Sequence, residues 1–197
     1  MKRVFVYGLY ICAFLAFALP GKMYGQNKNG ELAGFALRAN AGSEISFVFS
    51  ATDNKGKEIY KDSGKSVIYG NKYRMEIPGD LLVVNNGVTR WIYKPGEEEI
   101  VIASNNPGEE DVLENPFAVL RAGNNGKIKN YTVAVTPRGT GGAKELQGVP
   151  DKIVLTATGG ARYTIRITGF KSLPDIPGAW FELDTKKYPE AVVTDLR

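Results

Sequence analysis

The sequence predicts a mainly β domain that is built on an antiparallel sheet and begins with one short amphipathic helix. Three observations support this fold class. Nine strand-length runs, rich in β-branched and aromatic residues, follow one another from residue 44 to residue 170. Clusters of Asn, Asp and Gly separate these runs, as expected of tight turns. Apolar and polar positions alternate along several runs, which is the period of a strand with one buried face.

Residues 1–25 have the layout of a secretory signal. A basic start precedes an apolar run from Val4 to Leu19, and small residues follow this run. A retained membrane anchor is the alternative, but the run is shorter than the roughly 20 residues that a spanning helix needs. We therefore predict cleavage after Gly25, which leaves residues 26–197 as a single domain.

Removal of the signal changes both the charge and the cysteine content. It takes away Lys2, Arg3 and Lys22 and no acidic residue, so the net charge falls from +4 to +1. A nucleic-acid-binding protein would carry an excess of basic residues, so this class is excluded. The one cysteine, Cys12, also lies in the signal, and no later apolar stretch reaches spanning length. These features predict a soluble domain in the periplasm of a bacterium with two membranes.

The first predicted element is a helix from Gly30 to about Asn40. Its apolar face is formed by residues at the spacing i, i+3, i+4 and i+7, which are Leu32, Phe35, Ala36 and Ala39. A helix this short is unstable alone, so it must pack on another element.

The strands follow the helix, and apolar and polar residues alternate along several of them. The nine predicted runs are EISFVFSA, GKSVIYG, NKYRMEI, DLLVVN, TRWIYK, EEIVIAS, KIKNYTVAV, DKIVLTAT and RYTIRITGF. Turn signals at residues 53–56, 85–87, 94–96 and 158–160 favour hairpins and hence an antiparallel meander. The runs FVF and LLVV are apolar on both faces, so parts of the sheet should be covered on both sides.

A second helix is predicted from Asn115 to Gly123. Asn115 can cap its start, Pro116 suits the first helical position, and Gly123 suits the residue after its end.

The sequence gives no support for catalysis. It contains no histidine, and no cysteine follows Cys12, which excludes Ser–His and Cys–His nucleophile systems and the usual zinc sites. Acidic clusters at residues 97–99 and 109–111 follow turn signals, where solvated loop charge is expected. SGKS at residues 63–66 lacks the first glycine of a phosphate-binding loop. We therefore predict a protein that is not an enzyme and that needs neither a metal nor another cofactor.

A surplus of aromatic and other large apolar residues remains on the predicted sheet and second helix. Its members are Phe47, Phe49, Tyr73, Met75, Trp91, Tyr93, Phe117, Tyr163 and Trp180. Two interpretations stay open for them. They form either an ordinary filled core or the walls of a hollow one that holds an apolar ligand.

Several segments follow one another in a recognisable order. The amphipathic helix and sheet are combined with DLLVVNNGVTRWIYKP, then NPFAVL, and a final FELDTKKYPEAVVTDLR. The most specific pieces are Gly87, Trp91, Tyr93, Pro95 and the closing Asp195-Leu196-Arg197. In this order the chain, over about residues 32–197, resembles LolA, the periplasmic outer-membrane lipoprotein carrier, and more closely its LolA-like relatives from Bacteroidetes.

This resemblance implies a strongly curved antiparallel sheet, an incomplete β-barrel, closed by short lid helices. It also implies a function: a monomeric periplasmic chaperone that shields the acyl chains of lipoproteins in an apolar cavity. The expected partners are acylated lipoproteins, an inner-membrane ABC lipoprotein exporter, and an outer-membrane acceptor that the sequence does not identify. Such a carrier serves outer-membrane biogenesis. A carrier of free lipid or glycolipid is the alternative, followed by a secreted sugar-binding module or enzyme.

By position, the resemblance implies acyl-chain contacts on the inner strand faces and on the lid. The strand residues that it implies are Tyr73, Met75, Trp91 and Tyr93. Phe47, Phe49, Tyr163 and Ile165, which are apolar residues of other predicted strands, are expected to line the same cavity. The expected lid residues are Leu32, Phe35, Ala36, Phe117, Val119 and Leu120. One position departs from the family: proteobacterial members have an arginine and a proline, with the arginine linking sheet and lid, where this chain has Tyr69-Gly70.

Overall fold

The computed structural model describes residues 28–106, 112–120, 130–139 and 143–197. The predicted signal, residues 1–25, lies outside these ranges. In chain order the main elements are α1 (Lys28–Asn40), β1 (Ser43–Thr52), β2 (Glu58–Tyr69), β3 (Lys72–Ile77), β4 (Leu81–Asn85), β5 (Thr89–Lys94), β6 (Glu99–Ser104), β7 (Tyr131–Thr136), β8 (Lys152–Ala157), β9 (Arg162–Ser172) and β10 (Val192–Asp195). Short 3-10 helices occupy Pro95–Glu97, Ala118–Leu120, Lys144–Leu146, Gly178–Phe181 and Thr185–Lys187. Within the described ranges, no helix is long and apolar enough to cross a membrane.

The ten strands form one sheet in the order β10-β6-β5-β4-β3-β2-β1-β9-β8-β7. Neighbouring strands are antiparallel except for β10, which runs parallel to β6. Strands β10 and β7 lie at opposite ends of this order, so the sheet is open as far as the described residues show. The predicted fold class, a mainly β incomplete barrel with a short helix packed on it, is confirmed.

The two faces of the sheet are covered by different parts of the chain. We call one the lid face, because α1 and residues 112–120, together called the lid, pack on it through one continuous buried cluster. The opposite or outer face carries two smaller clusters that include Leu183 and Phe181 of the C-terminal segment. This double cover explains why β4 and β5 are buried on both sides, as the LLVV run predicts.

The predicted first helix is confirmed, and α1 begins two residues before the predicted start. Leu32, Phe35 and Ala39 are buried against the sheet, whereas Leu37, which lies off the apolar stripe, is 76% exposed. The second predicted helix is shorter than expected. Within the described part of residues 115–123, only Ala118–Leu120 is helical, as a 3-10 turn.

The physical reason for the short second helix is its hydrogen bonding. Asn115 acts as the predicted cap, because its Oδ1 accepts from the Phe117 amide at 3.1 Å. The following backbone bonds span three residues rather than four: Ala118 N donates to the Asn115 carbonyl and Leu120 N to the Phe117 carbonyl. This spacing defines a 3-10 turn.

The nine predicted strands all occur, and a tenth was missed. Strand β10 is only four residues long and is mostly exposed, so it lacks the alternation that identifies a half-buried strand. Strand β2 also begins earlier than expected, at Glu58. Residues 58–63 are mostly polar and exposed, so they lack the apolar pattern that would have marked this part of the strand. At the 85–87 turn, Asn85 Oδ1 accepts from the Gly87 amide at 2.6 Å, and Gly87 has a φ of 96°.

Two features of the central strands let the sheet bend. The β1–β9 ladder shifts register between Ser46 and Phe47, which leaves Thr168 as an extra residue in β9. A bulge of this kind bends its strand and increases the local twist. On the other side of β1, a Cβ on Gly64 would lie 2.6 Å from the Glu76 carbonyl oxygen and 2.8 Å from Cζ of Phe47. Gly64 therefore allows β3 and the Phe47 ring to approach β2 closely.

Gly64→Ala is expected to lower the free energy of unfolding by about 1–3 kcal/mol, because the added methyl group collides with a backbone oxygen that cannot easily move. Chemical denaturation with and without the substitution measures the effect. Gly34→Ala is the matched control. Its Cβ meets no atom within 4 Å, and it replaces a glycine inside α1, so it should stabilise the protein by up to about 1 kcal/mol. Equal stability of the Gly64→Ala variant and the wild type would contradict the close approach.

Candidate functional site

The candidate site is the apolar interface between the lid and the lid face. The Phe117 ring meets the Phe47 ring edge-on, with centroids 5.2 Å apart and an interplanar angle of 81°. The Phe35 ring of α1 lies 5.8 Å from that of Phe170 in β9. All four side chains are buried. The lid therefore inserts aromatic side chains into the sheet rather than resting on its rim.

Most of the predicted contact residues come together here. One buried cluster contains Leu32, Phe35, Phe47, Phe49, Tyr73, Met75, Phe117, Val119, Leu120 and Ile165. Ala36 and Tyr163 are partly buried and pack against it. The binding of an acyl chain by these residues stays a prediction. Their shared location follows from strand alternation and from the apolar faces of the two lid segments.

The expected inner location of Trp91 and Tyr93 is wrong. Both side chains lie on the outer face, in a cluster with Leu183, and the Tyr93 ring is 4.3 Å from that of Tyr188. Because successive side chains of β5 point to opposite faces, Ile92 joins the lid-face cluster instead.

Sequence reasoning also missed several lid-face residues. They include Val83, Ile92, Ile153, Leu155 and Phe170. For the residues of β4 and β5 the signal lies in the register between strands, which local periodicity does not give. In the antiparallel register, Met75 lies opposite Val83 and Val83 opposite Ile92, and partners directly opposite share a face. Carrying the Met75 face across the two hairpins would have selected Val83 and Ile92 and rejected Trp91.

A few polar contacts tie the lid together and to the sheet. Asn40 Nδ2, at the end of α1, donates to the Leu120 carbonyl at 2.8 Å and so joins the two lid segments. The Asn40 carbonyl in turn accepts from the Gly70 amide at 2.8 Å. Gly70 occupies one of the two positions where the resemblance implies an arginine and a proline. Here a backbone amide links sheet and lid.

Asn40→Ala is expected to loosen the lid, since it leaves the Leu120 carbonyl without this donor, at a cost of about 1–2 kcal/mol. Hydrogen exchange should become faster for amides of α1 and residues 112–120, while amides of β3 to β5 keep their rates. Asn54→Ala, at an exposed turn residue, is the control and should change neither set. Uniformly faster exchange in both sets would instead indicate global destabilisation.

Arg38 provides a further contact between α1 and the rest of the domain. Its guanidinium carbon lies 4.8 Å from the centre of the Phe170 ring, and Nη1 donates to the Gln147 carbonyl. A cation over an aromatic face is attracted by the ring quadrupole. Since Arg38 is in the last turn of the helix, its charge also suits the helix dipole.

At the margin of the lid-face cluster, Tyr60 packs on Phe49, with ring centroids 5.9 Å apart. Burial raises the pKa of the Tyr60 hydroxyl, and its hydrogen bond to Asp80 at 2.6 Å raises this pKa further. The hydroxyl therefore remains a neutral donor. It brings no charge to the apolar site.

The hollows of the described chain show how the site is filled. A crevice at the lid margin, between Asn40, Tyr73 and Phe117, has a volume of only about 10 Å³. A hollow of about 340 Å³ is lined by charged residues of the outer face, among them Lys65 and Glu76. Another hollow, of about 420 Å³, is lined by Lys65 and Glu76 and also by Gly64 and by Phe47 of the lid-face cluster. Between the described residues of the lid margin, a space of about 10 Å³ cannot hold an acyl chain unless the lid moves.

Similarity to known proteins is found among solved structures. No family model matches the chain, and no curated protein matches it. Among solved structures, it is similar to a LolA superfamily protein from Nitrosomonas europaea, with 10% identity and a TM-score of 0.44 over 80% of this chain and 98% of the other. It is also similar to a DUF1329 family protein from Desulfovibrio piger, with 10% identity and a TM-score of 0.40 over 79% and 98% of the two chains. The name of the first of these structures includes LolA, the carrier that the sequence resembles.

Proposed function

We propose that the protein is a periplasmic carrier that shields acyl chains between the lid and the lid face. The observation that supports this proposal is the division of one buried apolar cluster between two parts. One part belongs to the sheet, and the other belongs to a separate lid that the Asn40 hydrogen bonds help to hold in place. A lid of this kind can move without breaking the hydrogen bonds between strands.

The energetics of acyl chains match this arrangement. Burial of an acyl chain contributes about 0.8 kcal/mol per methylene, so a chain of about sixteen carbons contributes more than roughly 10 kcal/mol. When the lid moves outward, an entering chain can replace the contacts that Phe117 and Phe35 make with the sheet. The site then exchanges one set of apolar contacts for another. Because such contacts are not directional, the carrier can hold its cargo and still release it.

The proposed cargo is an acylated lipoprotein. In this proposal an inner-membrane ABC exporter supplies the lipoprotein, and an outer-membrane acceptor receives it. The basis is the resemblance of the sequence to LolA. The alternative cargo is a free lipid or glycolipid, which the same apolar site would hold.

Three measurements test the proposal at different levels. Binding of a fluorescent fatty acid to the folded protein should be saturable, whereas a permanently filled core should bind none. Mass spectrometry of the copurifying material then separates the cargoes: acylated polypeptide supports the lipoprotein carrier, and extractable lipid alone supports the alternative. Depletion in the native cell should leave outer-membrane lipoproteins in the inner membrane. Normal sorting after depletion would exclude the lipoprotein role.

A second candidate function is sugar binding at the outer face. Its basis is the hollow of about 340 Å³, where Trp180 is 44% exposed beside Glu44, Lys65 and Arg74. An accessible indole ring with charged neighbours is an arrangement that can stack on and hydrogen-bond to a sugar ring. Glycan binding that Trp180→Ala abolishes, with no binding of fatty acid, would favour this candidate over the carrier.

A further inference from the structure

Arg90 introduces a charge into the mostly apolar lid face. Alternation along β5 puts Trp91 and Tyr93 on the outer face, so Arg90 and Ile92 point to the lid. Arg90 lies directly opposite the buried Asn85 of β4. Its side chain is only 13% exposed. An arginine at this depth must satisfy five N–H donors with little access to water.

Among the described residues, Arg90 has partners for only some of its N–H donors. Nη2 lies 3.6 Å from Oε2 of Glu114 in the lid, which is an ion pair without a hydrogen bond. Nε and Nη1 are buried and have no hydrogen-bond partner. Buried donors without partners are costly, and charged donors are more costly than neutral ones. Such a group therefore points to a missing acceptor.

We propose that Arg90 binds an oxyanion, a carboxylate or a phosphate, at the head of the acyl ligand. This inference rests on the proposed function, since the anion reaches Arg90 only as part of a ligand under the lid. Guanidinium groups bind both oxyanions through two parallel hydrogen bonds. Either bidentate edge of the guanidinium includes Nη2, so the bound anion competes with Glu114. Ligand binding then weakens one contact that holds the lid to the sheet.

This site also bears on the class of cargo. Free fatty acids and phosphate-bearing lipids have an oxyanion next to their acyl chains. Acyl chains of a lipoprotein are joined through neutral ester and amide groups instead. An oxyanion site at Arg90 therefore favours a free anionic lipid. On this inference the alternative cargo named above replaces the lipoprotein, while the carrier function itself stays the same.

Three ligands with sixteen carbon atoms each test the inference: palmitate, hexadecyl phosphate and hexadecanol. Each is titrated against the folded protein loaded with Nile red, a neutral dye, and dye displacement is measured. At least one of the two anions should bind the wild type about tenfold or more tightly than hexadecanol does, as expected for charge-assisted hydrogen bonds. Arg90→Gln should bring the affinity for that anion down to the affinity for hexadecanol. The better anion shows whether the site takes a carboxylate or a phosphate.

A second variant keeps the inference testable if Arg90→Gln fails to fold. Glu114→Gln removes the competing charge, so it should raise the affinity for the preferred anion several-fold and leave the order of the ligands unchanged. Equal binding of all three ligands by the wild type would overturn the Arg90 inference and leave the carrier proposal intact. Binding of none of them would overturn the carrier proposal itself.

Discussion

Phe117→Glu is expected to weaken binding of a fluorescent fatty acid by at least about 100-fold. The Phe117 side chain is 2% exposed and meets the Phe47 ring, so a carboxylate at this position has no polar partner in the closed lid. Leaving a charge buried without compensation costs about 3–5 kcal/mol, and the closed lid cannot form over a ligand at this cost. Direct titration of the purified variant measures the loss.

The control for Phe117→Glu uses the same new side chain on the outside of the lid. Leu37 lies in α1 and is 76% exposed, so Leu37→Glu should bind the fatty acid as the wild type does. Far-ultraviolet circular dichroism should show the β sheet in both variants, because Phe117 belongs to the lid and not to a strand. Wild-type affinity in a folded Phe117→Glu variant would rule out the lid assignment.

Trp91→Ala should have the opposite profile, with a large effect on stability and little effect on binding. Trp91 is 9% exposed and lies in the outer-face cluster, so its truncation should cost about 3–5 kcal/mol of unfolding free energy. The fatty-acid affinity of the folded fraction should stay within about twofold of wild type, because the sheet separates Trp91 from the lid. Denaturation in urea and titration at low temperature measure the two quantities.

Met75→Ala is the matched variant for the other face. Met75 is fully buried in the lid-face cluster, and its truncation should cost about 2–5 kcal/mol of stability. It should also change fatty-acid affinity, since it enlarges the space under the lid. A larger effect on binding from Trp91→Ala than from Met75→Ala would place the site on the outer face and refute the proposed carrier site.

The amino-acid sequence by itself determined the local elements. The apolar stripe through Leu32, Phe35 and Ala39 is a property of a few neighbouring residues, and it predicted both the helix and the face that it buries. Alternation along several runs predicted half-buried strands in the same way, and in Lys72–Ile77 every second residue is buried. Turn residues such as Asn85 and Gly87 act on their own backbone, so they too could be identified without knowledge of the fold.

Only the tertiary structure decided which faces are joined. Trp91 and Tyr93 could be buried on either face of the sheet. The register across the two hairpins places them on the outer face and Ile92 on the lid face. Strand β10 has no pattern of its own and forms because β6 offers it a free edge. The crevice under Phe117 and the buried donors of Arg90 depend on contacts between segments far apart in the chain. Local periodicity indicates which side chains are buried. Only the packing of distant segments determines which of these side chains contact one another and whether a cavity remains between them.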